Sequence, residues 1–276
     1  MIPVMLLMLA GGIGLAQAVS DPKAVTLQWL RLGGLIAVTL LAVAVAAIYP
    51  QRAEIDFPSI ALIIAAVAVP SVVQLMATQL AARTVQRVAA GVFFLACAGV
   101  VTWWAFGLLK MKYAMDQAGI GRPPELPGAG DGAILFICVA ASAGLLGGFL
   151  MTMLLGHAYL TAGNEMTQAP FRRLVIMLGI LLLLRAAASV IFGLMPHLRS
   201  MGDVESAAGK LWPLMMIITR YAVGLLVTGI FTWMTYDCVK RRANQSATGI
   251  MYVATLMVIV GEWTALTLWE RTWLAF

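Results

Sequence analysis

Eight apolar runs, each close to the roughly 20 residues that a helix needs to cross a bilayer core of about 30 Å, make up most of this chain. They extend from Met1 to Ser20, Leu32 to Ala47 with Ile48 and Tyr49 beyond, Pro58 to Leu80, Val88 to Leu109, Ala133 to Leu160, Leu174 to Met195, Trp212 to Tyr236 and Ala247 to Trp269. A spanning segment has no water to satisfy its backbone, so runs of this length dictate helices. The sequence therefore predicts an all-α polytopic membrane protein, one domain built as a bundle of eight transmembrane helices. Composition agrees, with 62% hydrophobic and 11% charged residues against about 45–50% and about 25% in soluble chains. The first run ends in Ala16-Gln17-Ala18, the form of a signal-peptide cleavage site, but no positive segment precedes it. It is read as a retained span whose Gly11, Gly12 and Gly14 allow close packing.

The fifth run carries small residues every fourth position: Ala140, Gly144, Gly148, Thr152 and Gly156. At 3.6 residues per turn these wind slowly along one helix face. In lipid, close backbone approach through small residues is what lets helices pack. This helix is thus expected to be the hub of the bundle, with Gly144 and Gly148 against a neighbouring helix or a tightly bound lipid. Pro70 predicts a kink in the third span. Trp29, Trp103, Trp104, Trp212, Trp233, Trp269 and Trp273 fall near span ends, as an interfacial aromatic belt would.

Charge predicts sidedness. The connections after spans one, three, five and seven hold nine basic residues, Lys23, Arg31, Arg83, Arg87, Arg172, Arg173, Lys240, Arg241 and Arg242, against Asp21, Glu165 and Asp237. The others hold six, Arg52, Lys110, Lys112, Arg122, Arg199 and Lys210, against seven acidic residues. By the positive-inside rule the first set is cytoplasmic, which places both termini outside, in the periplasm, and points to a bacterial-type inner membrane. The two longest connections, Lys112 to Gly132 and Pro196 to Lys210, then lie outside as well. The first contains Gly121-Arg122-Pro123-Pro124-Glu125-Leu126-Pro127, which cannot be helical throughout.

Three charges lie within spans, where each is costly unless paired or hydrated: Arg185 at the middle of the sixth, Arg220 and Glu262 about one turn outward of the middle of the seventh and eighth. Their depths agree within about 6 Å at about 1.5 Å per residue, so the three are expected to meet, with Glu262 within about 4 Å of one arginine. Such a cluster either ties the last three helices together or forms a polar cavity in which an arginine holds a quinone carbonyl, a lipid headgroup or an anion. Tyr221 and Ser189 are placed to add hydrogen bonds.

His157, counted with Arg185, Arg220, Tyr221 and Glu262 among the candidate quinone, lipid or anion contacts, is read as a hydrogen-bonding group near the inner surface, close in sequence to Tyr159, Asn164 and Glu165. A bis-histidine haem would need His197 at matching depth, and the two fall on opposite sides. Cys97, Cys138 and Cys238 lie in or at the end of apolar runs without metal-ligand spacing and read as buried thiols. No catalytic residue or metal ligand is assigned: there is no G-x-S-x-G elbow, no phosphate-binding Gly-Lys-Ser/Thr loop and no H-E-x-x-H. Nucleic acid is excluded as a partner, since no basic run exceeds Lys240-Arg241-Arg242 and no aromatics interleave it.

Eight spans with both termini outside, closing on Val260-Gly261-Glu262 in the last, resemble the membrane anchors of dimethyl-sulfoxide-reductase-type respiratory complexes. The resemblance implies a subunit without a bound redox cofactor that exchanges electrons between quinone and an attached iron–sulfur subunit. The expected function is accordingly a non-catalytic integral membrane subunit of a quinone-linked electron-transfer complex, with membrane lipids and other membrane or redox subunits as partners. The alternative is a small transporter or channel in which Arg185, Arg220, Glu262 and Pro70 line a path.

Overall fold

A computed structural model describes residues 2–48, 57–120, 129–162, 167–194 and 211–272. In chain order the helices are α1 (Ile2–Val19), α2 (Leu27–Ile48), α3 (Phe57–Gln79), α4 (Arg83–Ile120), α5 (Ala129–Ala162) and α6 (Ala169–Leu194). There follow α7 (Leu211–Ile218), a π-helical segment (Thr219–Val227) and α8 (Thr228–Lys240), which continue one another as a single rod, and finally α9 (Asn244–Thr272). Among the described residues, seven rods are long and apolar enough to cross a membrane, and α3, at 23 residues, is apolar as well.

Surface and interior are reversed relative to a soluble protein. Leu183, Trp233, Met215, Leu226 and Val88 are each more than 60% exposed, while Gln17, Gln86, Arg220 and Glu262 are at most 2% exposed. An apolar outside around a polar inside is what a lipid solvent selects. The fold is that of a multi-pass helical membrane protein.

Helix α5 is the hub, packed on α1, α4, α6 and α9. Its striped face meets α1, α6 and α9. A methyl at Gly144 would lie 2.8 Å from Leu15 and Leu181, one at Gly148 2.8 Å from Leu178, and one at Gly156 2.7 Å from Thr248. Thr152 is fully buried, its hydroxyl donating to the Gly148 carbonyl, and Ala140 packs at the core margin. The closest approach lies off the stripe. There Gly147 faces Gly12 of α1 so tightly that a methyl at Gly147 would sit 2.1 Å from the Ile13 nitrogen, and one at Gly12 1.8 Å from the Ala143 carbonyl oxygen. Gly11 and Gly14 turn the other side of α1 onto α4, against Cys97 and Ala90.

A glutamine knot ties α1 to α2, α3 and α4. Gln17 donates to the Leu30 carbonyl at 2.9 Å and its own oxygen accepts from Gln74 and Gln86. Gly33 makes room for it, since a methyl there would lie 2.2 Å from the Gln17 nitrogen. At the same end Arg83 donates to the Pro22 carbonyl and Arg87 to that of Ala18 at 2.7 Å. The connections after α1 and α3 therefore share one end of the bundle, as alternating spans require.

The turns after α3 and α8 are alike. Ala82 donates to the Ala77 carbonyl and Ala243 to that of Cys238, each closing a six-residue turn, and Ala81 and Arg242 between them adopt φ of 56° and 59°. These are Schellman motifs at a position that favours glycine.

Several expectations are corrected. Helix α4 does not stop at Leu109 but continues to Ile120, a length of about 57 Å at about 1.5 Å per residue, so much of the expected Lys112 to Gly132 connection is helical. Trp29 is no belt residue: it is 3% exposed and donates to the Met151 carbonyl at 3.1 Å. Trp269 is likewise buried, whereas Trp103, Trp104, Trp212 and Trp233 are exposed. Cys97 and Cys138 are buried but Cys238 is only half-buried. Pro70 lies inside α3, as expected, and beside it the Ser71 hydroxyl donates to the Ala68 carbonyl at 2.7 Å. Gly121 to Pro127, Asn164, Glu165, Pro196 to Lys210, His197 and Trp273 lie outside the described residues.

Candidate functional site

Where the π segment crosses α9, two glycines remove the side chains that would hold the rods apart. A methyl at Gly224 would lie 2.7 Å from the Gly261 Cα, and one at Gly261 2.4 Å from the Gly224 Cα. Each glycine neighbours one member of an ion pair: Gly224 follows Arg220 by four residues, and Gly261 precedes Glu262. The crossing brings Arg220 Nη1 to 2.9 Å from Glu262 Oε1, with the two side chains 0% and 2% exposed. The same nitrogen lies 3.3 and 3.4 Å from the methyl positions the glycines lack, so an alanine at either would press on the ion pair.

The π segment contributes the wider turn in which Arg220 sits. Its i→i+5 spacing leaves the downstream junction to be closed otherwise, and the Thr228 hydroxyl donates to the Val223 carbonyl five residues back at 3.0 Å. Irregular turns of this kind recur at functional positions in helices. No residue of Thr219–Val227 signals it in the sequence.

Arg185 joins through a serine that was not anticipated. Its Nε donates to Ser142 Oγ at 2.7 Å and its Nη1 to Ser189 Oγ at 2.7 Å, while Ser189 donates in turn to the Arg185 carbonyl. Ser142 also lies beside Glu262 on the wall of one cavity. The result is one polar cluster in which the bonded groups Ser189–Arg185–Ser142 and Glu262–Arg220 lie side by side, drawn from α6, α5, α9 and the π segment. Tyr221 is half-buried and near enough to both arginines to feel their charges. Ser142 was legible only as the one hydroxyl within Ala140-Ala141-Ser142-Ala143.

A cavity of about 60 Å³ opens on this cluster, with Arg185, Ser142 and Glu262 on its polar side and Trp104, Cys138 and Trp269 among its apolar walls. It has room for a few waters or for the edge of a ring. Buried positive charge beside aromatic walls is suited to holding an oxygen that is anionic or strongly polarised.

His157 does not belong to this site. It is exposed, and it lies fifteen residues beyond Ser142 on α5, about 22 Å at about 1.5 Å per residue. The buried polar group at that end is Tyr159, stacked on Phe171 with ring centroids 5.4 Å apart and donating to the Thr167 carbonyl. Among the described residues, no group of three His, Cys, Asp or Glu side chains is placed to hold a metal ion.

Compared with protein-family models, curated proteins and solved structures, the chain matches none. Its class therefore rests on its own fold and site: a multi-pass helical membrane protein with a buried Arg–Ser–Glu–Arg cluster at the junction of four helices.

Proposed function

We propose that the protein is a non-catalytic membrane subunit of a quinone-linked electron-transfer complex, set in a bacterial-type inner membrane with both termini outside. The observation that carries this reading is the cavity against the Arg185, Ser142 and Glu262 cluster, walled by Trp104 and Trp269. A quinone headgroup is a flat ring with carbonyl acceptors, and such a site offers an arginine donor to the oxygen and indoles to the ring. Charge-assisted donors would also stabilise the negative charge that develops when a quinone is reduced. The chemistry itself would come from attached redox subunits. Membrane lipids complete the surroundings, and the apolar outer face of the bundle supports their contact.

The test is purification from native membranes in mild detergent, followed by mass spectrometry and quinone extraction. Redox subunits and a quinone should co-purify in fixed ratio, and Arg185→Ala should lose the quinone while keeping the subunits. Recovery of the chain alone, free of quinone, would overturn the reading.

A small transporter or channel is the second reading. It is favoured by the π segment at Arg220, because a helix with non-standard backbone bonding beside a buried charge is a natural place for a moving element. Substrate-dependent flux in proteoliposomes holding only this chain would establish it.

A further inference from the structure

We propose that Arg220 is a receptor for an oxyanion that presents two oxygens, a carboxylate or a phosphodiester. This inference is independent of whether a quinone occupies the neighbouring cavity.

Glu262 uses only part of the guanidinium. Its Oε1 is met by Nη1 alone, at 2.9 Å, whereas Nε and Nη2 have no hydrogen-bond partner and the side chain is fully buried. These two nitrogens belong together. In a planar guanidinium the N–H of Nε and one N–H of Nη2 point in parallel from the same edge, the fork that grips two oxygens of a carboxylate or phosphate. The glycine crossing explains why Glu262 takes the other corner: Gly224 and Gly261 close on Nη1 and enclose it. What remains is a pair of charged donors, buried in a membrane protein and aligned for a two-oxygen acceptor. Buried charged donors left unmade are costly, so a chain that keeps them has a partner for them.

A two-oxygen anion fills both positions of the fork, while a neutral single-oxygen ligand fills half of it. Arg220 lies eight residues along its rod from Trp212, about 12 Å. Both an anionic lipid headgroup drawn inward and a small free carboxylate share the required chemistry.

The experiment uses the full chain with labelled arginine and tyrosine, so that the Arg-Tyr pair at residues 220 and 221, which occurs once in the sequence, assigns the Arg220 signals by nuclear magnetic resonance. In nanodiscs of phosphatidylcholine, acetate is titrated as the free-anion probe. In a second set, phosphatidylglycerol replaces part of the lipid without acetate. The Arg220 Nε–H signal is expected to move downfield and saturate, with a parallel rise in unfolding temperature, in the arm that supplies the natural source. Arg220→Lys keeps a cation for Glu262 but has no fork, and should raise at least tenfold the anion concentration needed for the half-maximal rise in unfolding temperature. An Nε–H signal that stays fixed in both arms, as buried water alone would leave it, overturns the proposal whether or not the lysine variant folds. So does an equal rise in unfolding temperature in wild type and Arg220→Lys.

Discussion

Glu262 and Arg220 stabilise each other only as a pair. A carboxylate and a guanidinium taken out of water lose several kcal/mol of hydration each, and their contact at 2.9 Å roughly offsets that loss. Removing one partner strands the other. Glu262→Gln is therefore expected to cost about 3–5 kcal/mol, visible as a lower midpoint of thermal unfolding in detergent. Glu262→Ala and Arg220→Ala should each be as damaging, with partial recovery in the double variant; equal and additive losses would show that the pair is not coupled. Ser142 adds a second anchor, because its hydroxyl accepts from Arg185 beside Glu262. Ser142→Ala leaves the buried Arg185 short of a hydrogen bond, and the expected loss is about 1–3 kcal/mol by the same measurement.

At the scale of elements, glycines decide how closely the rods approach. Gly224 and Gly229 lie within one rod yet have opposite surroundings, since a methyl at Gly224 would strike the Gly261 backbone at 2.7 Å and one at Gly229 would meet nothing within 4 Å. Gly224→Ala should destabilise by about 1–3 kcal/mol through overpacking. Gly229→Ala should stabilise by about 0.5–1 kcal/mol, because alanine loses less backbone entropy in a helix. Parallel unfolding curves of the two variants check the contrast, and a common sign would refute it. The turn after α3 offers a third comparison. Ala81 holds a φ of 56°, a conformation that glycine adopts without the Cβ penalty of about 1–2 kcal/mol. Ala81→Gly should raise the unfolding midpoint even though it removes a side chain.

For the whole molecule, the chain alternates direction so that the connections after α1 and α3 meet at one end, through Arg83 and Arg87 on the last carbonyls of the first hairpin. The turn after α8 and the start of α6 share an end too, since Thr248 and Phe171 both face Gly156. The basic residues of these connections make the shared end the cytoplasmic one in the proposed orientation. A single cysteine at Arg241, in a chain without Cys97, Cys138 and Cys238, should react with a membrane-permeant maleimide and resist an impermeant one in intact cells. Ready labelling from outside would invert the orientation while leaving the fold as it is.

The helical membrane class, about seven or eight apolar spans and the convergence of Arg185, Arg220 and Glu262 were legible in the sequence, because run length against bilayer thickness and the cost of intramembrane charge are one-dimensional constraints. The hub role of the fifth span was legible for a similar reason: its stripe of small residues is a property of one helix. Partner choice was not. Whether Gly147 meets Gly12, or Gly224 meets Gly261, depends on which faces two helices turn to each other, and no periodicity within either helix encodes that. Ser142 entered the site, and His157 left it, for the same reason: their roles follow from what three or four helices bring to one point. The π segment was read only from the structure, where it meets α9 at Gly261. Sequence determined what must be buried in the membrane, and packing decided which buried groups touch.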